Sequence, residues 1–198
     1  MPTHFFQRLF VACFAIVIAF FCFGALTSKR ERKVFSQTVY FAVYSTKSVQ
    51  AAAGEIALRG GAGYALSEED VAFGVYFSQE SALESVESLR GKYPTAQVKT
   101  CEIALGDERL LNTFYGALQA VDGWRNALEN GARQSVVKNG LAEVAGVFRR
   151  MGAESGKTIF YAFADQTLTA SEGIVYAGEL RYLLCSMIDE LHVSLEKR

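Results

Sequence analysis

The chain has 198 residues, 51% of which are hydrophobic, and its 20 Lys and Arg residues nearly balance 21 Asp and Glu residues, for a net charge of −1. This length allows one or two domains of ordinary size. Because nucleic-acid binding needs a clustered basic face, the balanced charge excludes nucleic acid as the expected partner.

The first predicted element is a membrane anchor at residues 9–26, after a short tail at residues 1–8. The anchor segment contains no charged residue, and about 18 apolar residues suffice for a helix to cross the hydrocarbon core. A cleaved signal peptide is the alternative, but its apolar part is usually about 7–15 residues long and ends at small residues. Phe23-Gly24-Ala25 fits such a site poorly. The sequence therefore predicts an uncleaved, single transmembrane helix.

A polar, basic juxtamembrane linker is predicted at residues 27–38. Arg8 is the only Lys or Arg before the anchor, whereas Lys29, Arg30, Arg32 and Lys33 follow it. Positive charges usually stay on the cytoplasmic side. Taken alone, this count predicts a cytoplasmic location for everything after the anchor.

Residues 39–104 contain two copies of one strand–helix–strand unit. Val39–Thr46 and Val71–Ser78 align with valine, phenylalanine and tyrosine in register, which is the signature of an internal repeat. Their alternating apolar and aromatic residues predict half-buried strands. The predicted elements are strands at 39–46, 64–66, 71–78 and 96–100, and helices at 47–59 and 79–92. The predicted order is β-α-β-β-α-β, the split arrangement of ferredoxin-like folds.

Alternation along the two long strands predicts two different faces of the sheet. One face is expected to pack under the two helices through Val39, Phe41, Val43, Val71, Phe73 and Val75. The opposite face is expected to be uncovered, and to form a shallow floor of small residues flanked by tyrosines, suited to a flat saccharide. The candidate ligand-binding residues on that floor are Tyr40, Ala42, Tyr44, Ala72, Gly74 and Tyr76. Alternatively, the C-terminal helices cover this face, because exposed apolar patches are normally covered.

The aromatic strand, the turn Gly60–Tyr64 and the second strand with Ser78–Ala82 resemble the SPOR (sporulation-related repeat) domain. The resemblance implies binding to septal peptidoglycan, particularly to glycan strands stripped of their peptides. It also implies a folded part held outside the cell by a single membrane anchor. We follow the resemblance on location and expect a single-pass protein with an extracytoplasmic folded part, although the positive charges predict the opposite.

Three glycines, Gly60, Gly61 and Gly63, lie where the first helix must end and the chain must turn into a strand. Glycine removes the steric cost of positive φ at such a position. A phosphate site needs glycines that open a helix, whereas these follow one. They are therefore predicted to be structural.

Residues 105–198 are predicted to form a helical region. Asp107 is the expected N-cap of a helix whose apolar stripe begins at Leu110, and a second stripe begins at Val137. A last helix is expected to start at Ser171, and residues 157–168 fit either a helix or a strand. Gly131 and Gly140 are expected to mark breaks or flexible points in these helices. Each stripe must be buried against the other helices, the double unit or a partner.

No motif in the sequence predicts catalysis, a metal site or a cofactor. The two histidines, His4 and His192, lack a neighbouring nucleophile and cannot supply a zinc site between them. Residues 152–158 resemble a P-loop but have too few residues between the glycines and follow a helix. The acidic groups at 68–70 and 189–190 are expected to be solvated charges rather than a catalytic pair. The sequence does not decide whether Cys101 and Cys185 form a disulfide or are free thiols.

The sequence thus predicts an α+β protein with a transmembrane helix, a SPOR-like domain and a helical C-terminal region. Following the resemblance, we expect a non-catalytic, membrane-anchored protein that binds peptidoglycan glycan strands during cell division or sporulation. The alternative is a protein-interaction module that helps to assemble a division or sporulation complex at the membrane.

Overall fold

The computed structural model describes residues 34–196, so the predicted anchor at residues 9–26 lies outside the described residues. The described part is α+β, with a four-stranded antiparallel sheet and six helices. Between residues 34 and 196, no helix combines the length and the hydropathy that a membrane crossing requires. The elements are β1 Phe35–Ser45, α1 Val49–Leu58, β2 Tyr64–Ala65, β3 Asp70–Tyr76, α2 Gln79–Leu89, β4 Ala96–Leu105, α3 Glu108–Glu129, α4 Gln134–Ser155, α5 Thr158–Glu172 and α6 Ala177–Glu196.

The β-α-β-β-α-β order is confirmed, and the strands lie in the order β2-β3-β1-β4 with every pair antiparallel. Strand β1 is central and begins at Phe35 rather than Val39. Its first residues pair with the end of β4, where Phe35 lies opposite Leu105. The end of the predicted linker is therefore part of the sheet, and β4 extends beyond Thr100 because it pairs along the whole of β1.

Helices cover both faces of the sheet, so the prediction of an uncovered face is wrong for the described residues. Helices α1 and α2 pack on one face, and α3 and α6 pack on the other. Val39, Phe41 and Val43 were predicted to pack under α1 and α2, but they face the C-terminal helices. Ala42 instead packs with Ile56 of α1 and Val86 of α2. Alternation shows which residues of a strand share a face. Because both faces of this sheet are apolar, alternation does not show which helices cover which face.

A bulge in β3 further changes the predicted faces. Ala42 pairs with Gly74 and Val43 with Ala72, so Phe73 has no residue opposite it on β1. Val71 and Phe73 lie under α1 and α2, as predicted, whereas Val75, beyond the bulge, packs in the core beneath the C-terminal helices. A bulge interrupts the alternation of side chains.

The C-terminal region forms one core with the sheet. Phe114 of α3 lies among Phe148 of α4 and Phe160 and Phe163 of α5, with ring centroids 5.8–6.0 Å from its own. The predicted N-cap is confirmed, because Asp107 Oδ1 accepts a hydrogen bond of 2.9 Å from the backbone of Leu110. The described part of the helical region predicted at residues 105–198 shares its core with β1, β3 and β4, so its apolar stripes are buried partly against the double unit, one of the expected possibilities.

The boundaries of the last two helices differ from the predicted ones. The ambiguous segment 157–168 is helical from Thr158, and Ser171 lies in that helix rather than at the start of the next one. Helix α6 begins at Ala177. Gly140 does not break α4, because its missing side chain makes room for Trp124, whose ring atoms would lie 2.0 Å from a Cβ at this position. Gly131 does lie at a break, with a positive φ of 81° between α3 and α4.

The glycine turn after α1 has the predicted structural role. Gly63 has a φ of +59°, and a Cβ there would lie 2.3 Å from Ala53 O. Replacing Gly63 with alanine is therefore expected to lower the free energy of unfolding by about 2 kcal/mol or more, measured by chemical denaturation. Gly54 is the matched control, since it lies in α1 with open space around its Cβ position. Equal unfolding free energies for Gly63→Ala and the unmodified protein would contradict this explanation.

Asp70 joins three strands of the sheet through its buried carboxylate. Ser45 of β1 donates a 2.7 Å hydrogen bond to it, Ser67 donates one of 2.9 Å, and Lys99 of β4 forms an ion pair with it. Burial alone raises the pKa of Asp70, but the hydrogen bonds from Lys99, Ser45 and Ser67 outweigh burial and hold the pKa below its ordinary value. The prediction that this acid is a solvated charge is wrong, because it is 6% exposed and paired.

Asp70→Asn is expected to lower the free energy of unfolding by about 1–3 kcal/mol at neutral pH, because partners of the carboxylate lose their acceptor. A carboxylate with a lowered pKa in the folded state stabilises the fold above its unfolded pKa. That contribution is lost as the pH falls through the folded value. The difference between the two proteins should therefore shrink below about pH 4. Urea denaturation at a series of pH values measures it, and a difference that does not change with pH would contradict the assignment.

Candidate functional site

The six predicted ligand-binding residues do not form one open surface. Ala42 and Ala72 are fully buried and lie on opposite faces of the sheet, and Gly74 is also buried. Tyr44 packs against Tyr93, with ring centroids 5.0 Å apart. The remaining two tyrosines, Tyr40 and Tyr76, are half-buried, and the Tyr76 hydroxyl donates a 2.6 Å hydrogen bond to Ser85 of α2.

A concave surface lies between α5 and α6. We call it the α5–α6 groove, and its volume is about 760 Å³. Helix α5 contributes Asp165, Gln166 and Thr169, and α6 contributes Glu179, Tyr182 and Ser186. The segment between the helices adds Ile174, which is 64% exposed. Polar side chains and an exposed aromatic ring therefore face the same cavity.

A second cavity of about 520 Å³ adjoins the groove at the glycine turn after α1. We call it the turn pocket. It is lined by Leu58, Gly60 and Gly61 from the end of α1 and its turn, and by Tyr176 from the approach to α6. Glu179 and Tyr182 line both cavities. The two cavities therefore share one wall.

Gly178 allows the start of α6 to approach the glycine turn closely. A Cβ at Gly178 would lie 3.3 Å from Gly61 O, so the two backbones are in contact. A Cβ at Gly61 would instead lie 2.6 Å from Ile56 Cγ2 of α1, and a Cβ at Gly60 would meet no atom within 4 Å. The glycine turn therefore ends α1 and also contacts the start of α6.

Tyr182 packs against Tyr64, which is itself hydrogen-bonded to α6. Its ring packs edge-on against Tyr64, with centroids 5.2 Å apart and an angle of 70° between the planes. The Tyr64 hydroxyl donates a 2.8 Å hydrogen bond to Asp189 of α6. Burial and the Asp189 carboxylate raise the pKa of Tyr64, so it stays a neutral donor. Tyr182 itself remains 49% exposed.

Hydrogen-bond acceptors predominate among the polar groups of the groove. Gln166 Nε2 lies 3.2 Å from each carboxylate oxygen of Glu190, which also accepts a 2.7 Å bond from Ser186. Gln166 Oε1 is buried and has no donor within the described part of the chain. Asp165 and Glu179 supply two carboxylates, and none of the described residues lining the groove is basic.

The polar groups that line the groove are hydroxyls, carboxylates and one amide. The described lining contains no histidine, cysteine or lysine. Among residues 34–196, no group of three or more His, Cys, Asp or Glu side chains could hold a metal ion. His192 lies exposed on α6 and outside both linings.

The acidic pair, the P-loop-like segment and the cysteines considered in the sequence lie in ordinary structural environments. Asp189 and Glu190 were expected to be solvated, but both are half-buried and accept hydrogen bonds. The P-loop-like segment 152–158 is the end of α4, Gly156 in the left-handed conformation and the start of α5. Cys101 and Cys185 are free thiols, and Cys185 is fully buried.

Comparisons of the chain with protein-family models, with curated proteins and with solved structures find no significant match. The resemblance of residues 39–100 to the SPOR domain therefore stays a prediction. The sequence analysis placed the ligand-binding residues on the two long strands and therefore did not predict the groove residues. One signal was available, since Tyr182 lies off the apolar stripe of Leu180, Leu184, Met187 and Ile188.

Proposed function

We propose that this chain binds peptidoglycan glycan strands in the α5–α6 groove and the adjoining turn pocket, without catalysing a reaction. An anchor at residues 9–26 would hold it at the membrane with the folded part outside. The observation that carries the proposal is the pair of exposed tyrosines, Tyr176 (58%) and Tyr182 (49%), beside a groove lined with acceptors. Exposed aromatic rings cover the apolar face of a ligand, and sugar hydroxyls can donate to the acceptors.

The dimensions of the groove agree with this use. Small-molecule sites usually enclose about 300–1,000 Å³, and the groove encloses about 760 Å³. It also shares Glu179 and Tyr182 with the turn pocket, so one ligand chain could contact both cavities. This site replaces the predicted tyrosine floor, whose six residues are buried or half-buried and do not form one open surface.

Sedimentation with purified cell walls tests the proposal. The full-length chain, in detergent micelles, is mixed with walls before and after amidase removal of the stem peptides, and with cellulose as a control polysaccharide. We expect co-sedimentation with walls, increased by peptide removal and absent with cellulose. A protein that stays in the supernatant with both wall preparations would contradict glycan binding.

A protein-interaction module is the second candidate, and large exposed apolar side chains favour it. Leu58 is 90% exposed beside the turn pocket, and Ile174 is 64% exposed on the groove. Such side chains often mark interaction sites. The double variant Leu58→Ser with Ile174→Ser would then lose a partner in cross-linking on intact cells. It would keep wall binding if the tyrosines alone hold the glycan.

A further inference from the structure

We propose that the α5–α6 groove prefers glycan strands whose amino sugars carry free amino groups over strands that are fully N-acetylated. This inference rests on the proposed function, since it names the kind of strand that the same site selects. Two features of the groove support it. One is an amide oxygen without a hydrogen-bond donor among the residues that the structure describes, and the other is the negative charge of its carboxylates.

The orientation of the Gln166 amide is fixed by its neighbour. Its Nε2 donates to both carboxylate oxygens of Glu190 at 3.2 Å, and Ser186 donates to the same carboxylate at 2.7 Å. Turning the amide over would set its oxygen against the carboxylate. Its Oε1 therefore remains an acceptor without a donor among the described residues, and a buried acceptor of this kind is costly unless a donor reaches it.

The two groove carboxylates, Asp165 and Glu179, lie on different helices, and their present partners in the protein bind them only weakly. Asp165 of α5 is paired with Arg149 at 3.5 Å, but both side chains are largely exposed, and such pairs contribute little. Glu179 of α6 accepts a 3.2 Å hydrogen bond from the backbone of Tyr176, which satisfies only one of its acceptor sites. Both carboxylates are therefore able to accept from a ligand.

An ammonium group matches these surroundings better than an acetamide does. It carries a positive charge toward Asp165 and Glu179, and it has only donors to offer to the acceptors of the groove. The exposed ring of Tyr182, which lines the same cavity, attracts a cation through its face. An acetamide is neutral, and its carbonyl would add one more acceptor to a groove already rich in them.

Titration calorimetry with matched oligosaccharides tests the preference. The full-length chain in nonionic micelles is titrated with glucosamine oligomers and with N-acetylglucosamine oligomers of the same length, at low salt and at about pH 6, where amines are protonated. We expect the amino oligomers to bind roughly 3- to 10-fold more tightly, as an exposed ion pair and a cation–π contact would give. The ratio should approach one at high salt, because salt screens exposed charges.

Charge-neutral variants assign the preference to the groove. The double variant Asp165→Asn with Glu179→Gln keeps the shape of both side chains, and we expect it to bind both oligomers equally. The control is Glu84→Gln with Glu87→Gln, which removes two exposed charges from α2 on the other face of the sheet. The control should retain the full preference.

Three other results would overturn the inference in distinguishable ways. Equal affinity of the unmodified protein for both oligomers would overturn the preference and leave glycan binding intact. Binding of neither oligomer, with no wall binding, would overturn the proposed function as well. Binding of oligolysine, but of neither saccharide, would show that the groove selects cationic peptides instead of amino sugars.

Discussion

Replacing Phe114 with alanine is expected to lower the free energy of unfolding by about 3–5 kcal/mol, the usual cost of removing a buried phenylalanine ring. Phe114 is fully buried and contacts the rings of Phe148, Phe160 and Phe163, which come from two other helices. Since the close-packed interior relaxes only partly, a cavity would remain. Chemical denaturation followed by circular dichroism measures the change.

Tyr161→Ala is the control for this prediction, because Tyr161 lies on α5 next to Phe160 but is 43% exposed. We expect the control to cost about 1 kcal/mol or less. A Phe114→Ala variant that is as stable as the control would show that the four-ring cluster does not hold the helices together. The packing of α3 against α4 and α5 would then need another explanation.

The double variant Tyr176→Ala with Tyr182→Ala is expected to weaken glycan binding by about 2 kcal/mol, or roughly thirtyfold, because aromatic anchors dominate binding surfaces. Both rings are about half exposed or more. Their loss should therefore change the free energy of unfolding by only about 1 kcal/mol. Sedimentation with peptide-free walls measures the binding, and circular dichroism checks the fold.

Two controls separate this effect from a general loss of aromatic surface. Tyr161→Ala removes a comparably exposed ring outside both linings, and it should leave binding unchanged. Tyr40→Phe with Tyr76→Phe alters two of the tyrosines predicted from sequence, and it should also bind normally. Full binding by Tyr176→Ala with Tyr182→Ala would contradict the groove as the site.

The split topology was predictable because its signals are local. The repeated strand pattern around Val39 and Val71 and the glycine turn each act within a few residues, and the structure contains the elements they predict. The N-cap at Asp107 is local in the same way, since its side chain bonds to a backbone group three residues later. Such features depend little on what the rest of the chain does.

The faces of the sheet were not predictable from alternation. Both faces are apolar, and the choice of covering helices depends on contacts with residues far along the chain, such as Leu180 and Leu184 of α6. The bulge at Phe73 adds a second change, because it moves Val75 to the other face. Neither effect leaves a mark within the strands themselves.

The candidate site was missed for a related reason. Its turn pocket forms where the turn at Gly60 and Gly61 meets α6, more than a hundred residues later in the chain, so no short motif contains that pocket. The apolar stripe of α6 predicted a buried helix, which is correct. The stripe does not include Tyr182, which lies beside it on the helix and faces the groove, so the stripe itself gave no reason to select this residue.

Hydrogen–deuterium exchange of the full-length chain, with and without peptide-free glycan strands, tests the groove most directly. We expect glycan to slow exchange at residues 57–62 and 173–186, which line the two cavities, and to leave β1 at residues 35–45 unchanged. Slower exchange confined to β1 and β3, or no change anywhere, would contradict glycan binding between α5 and α6.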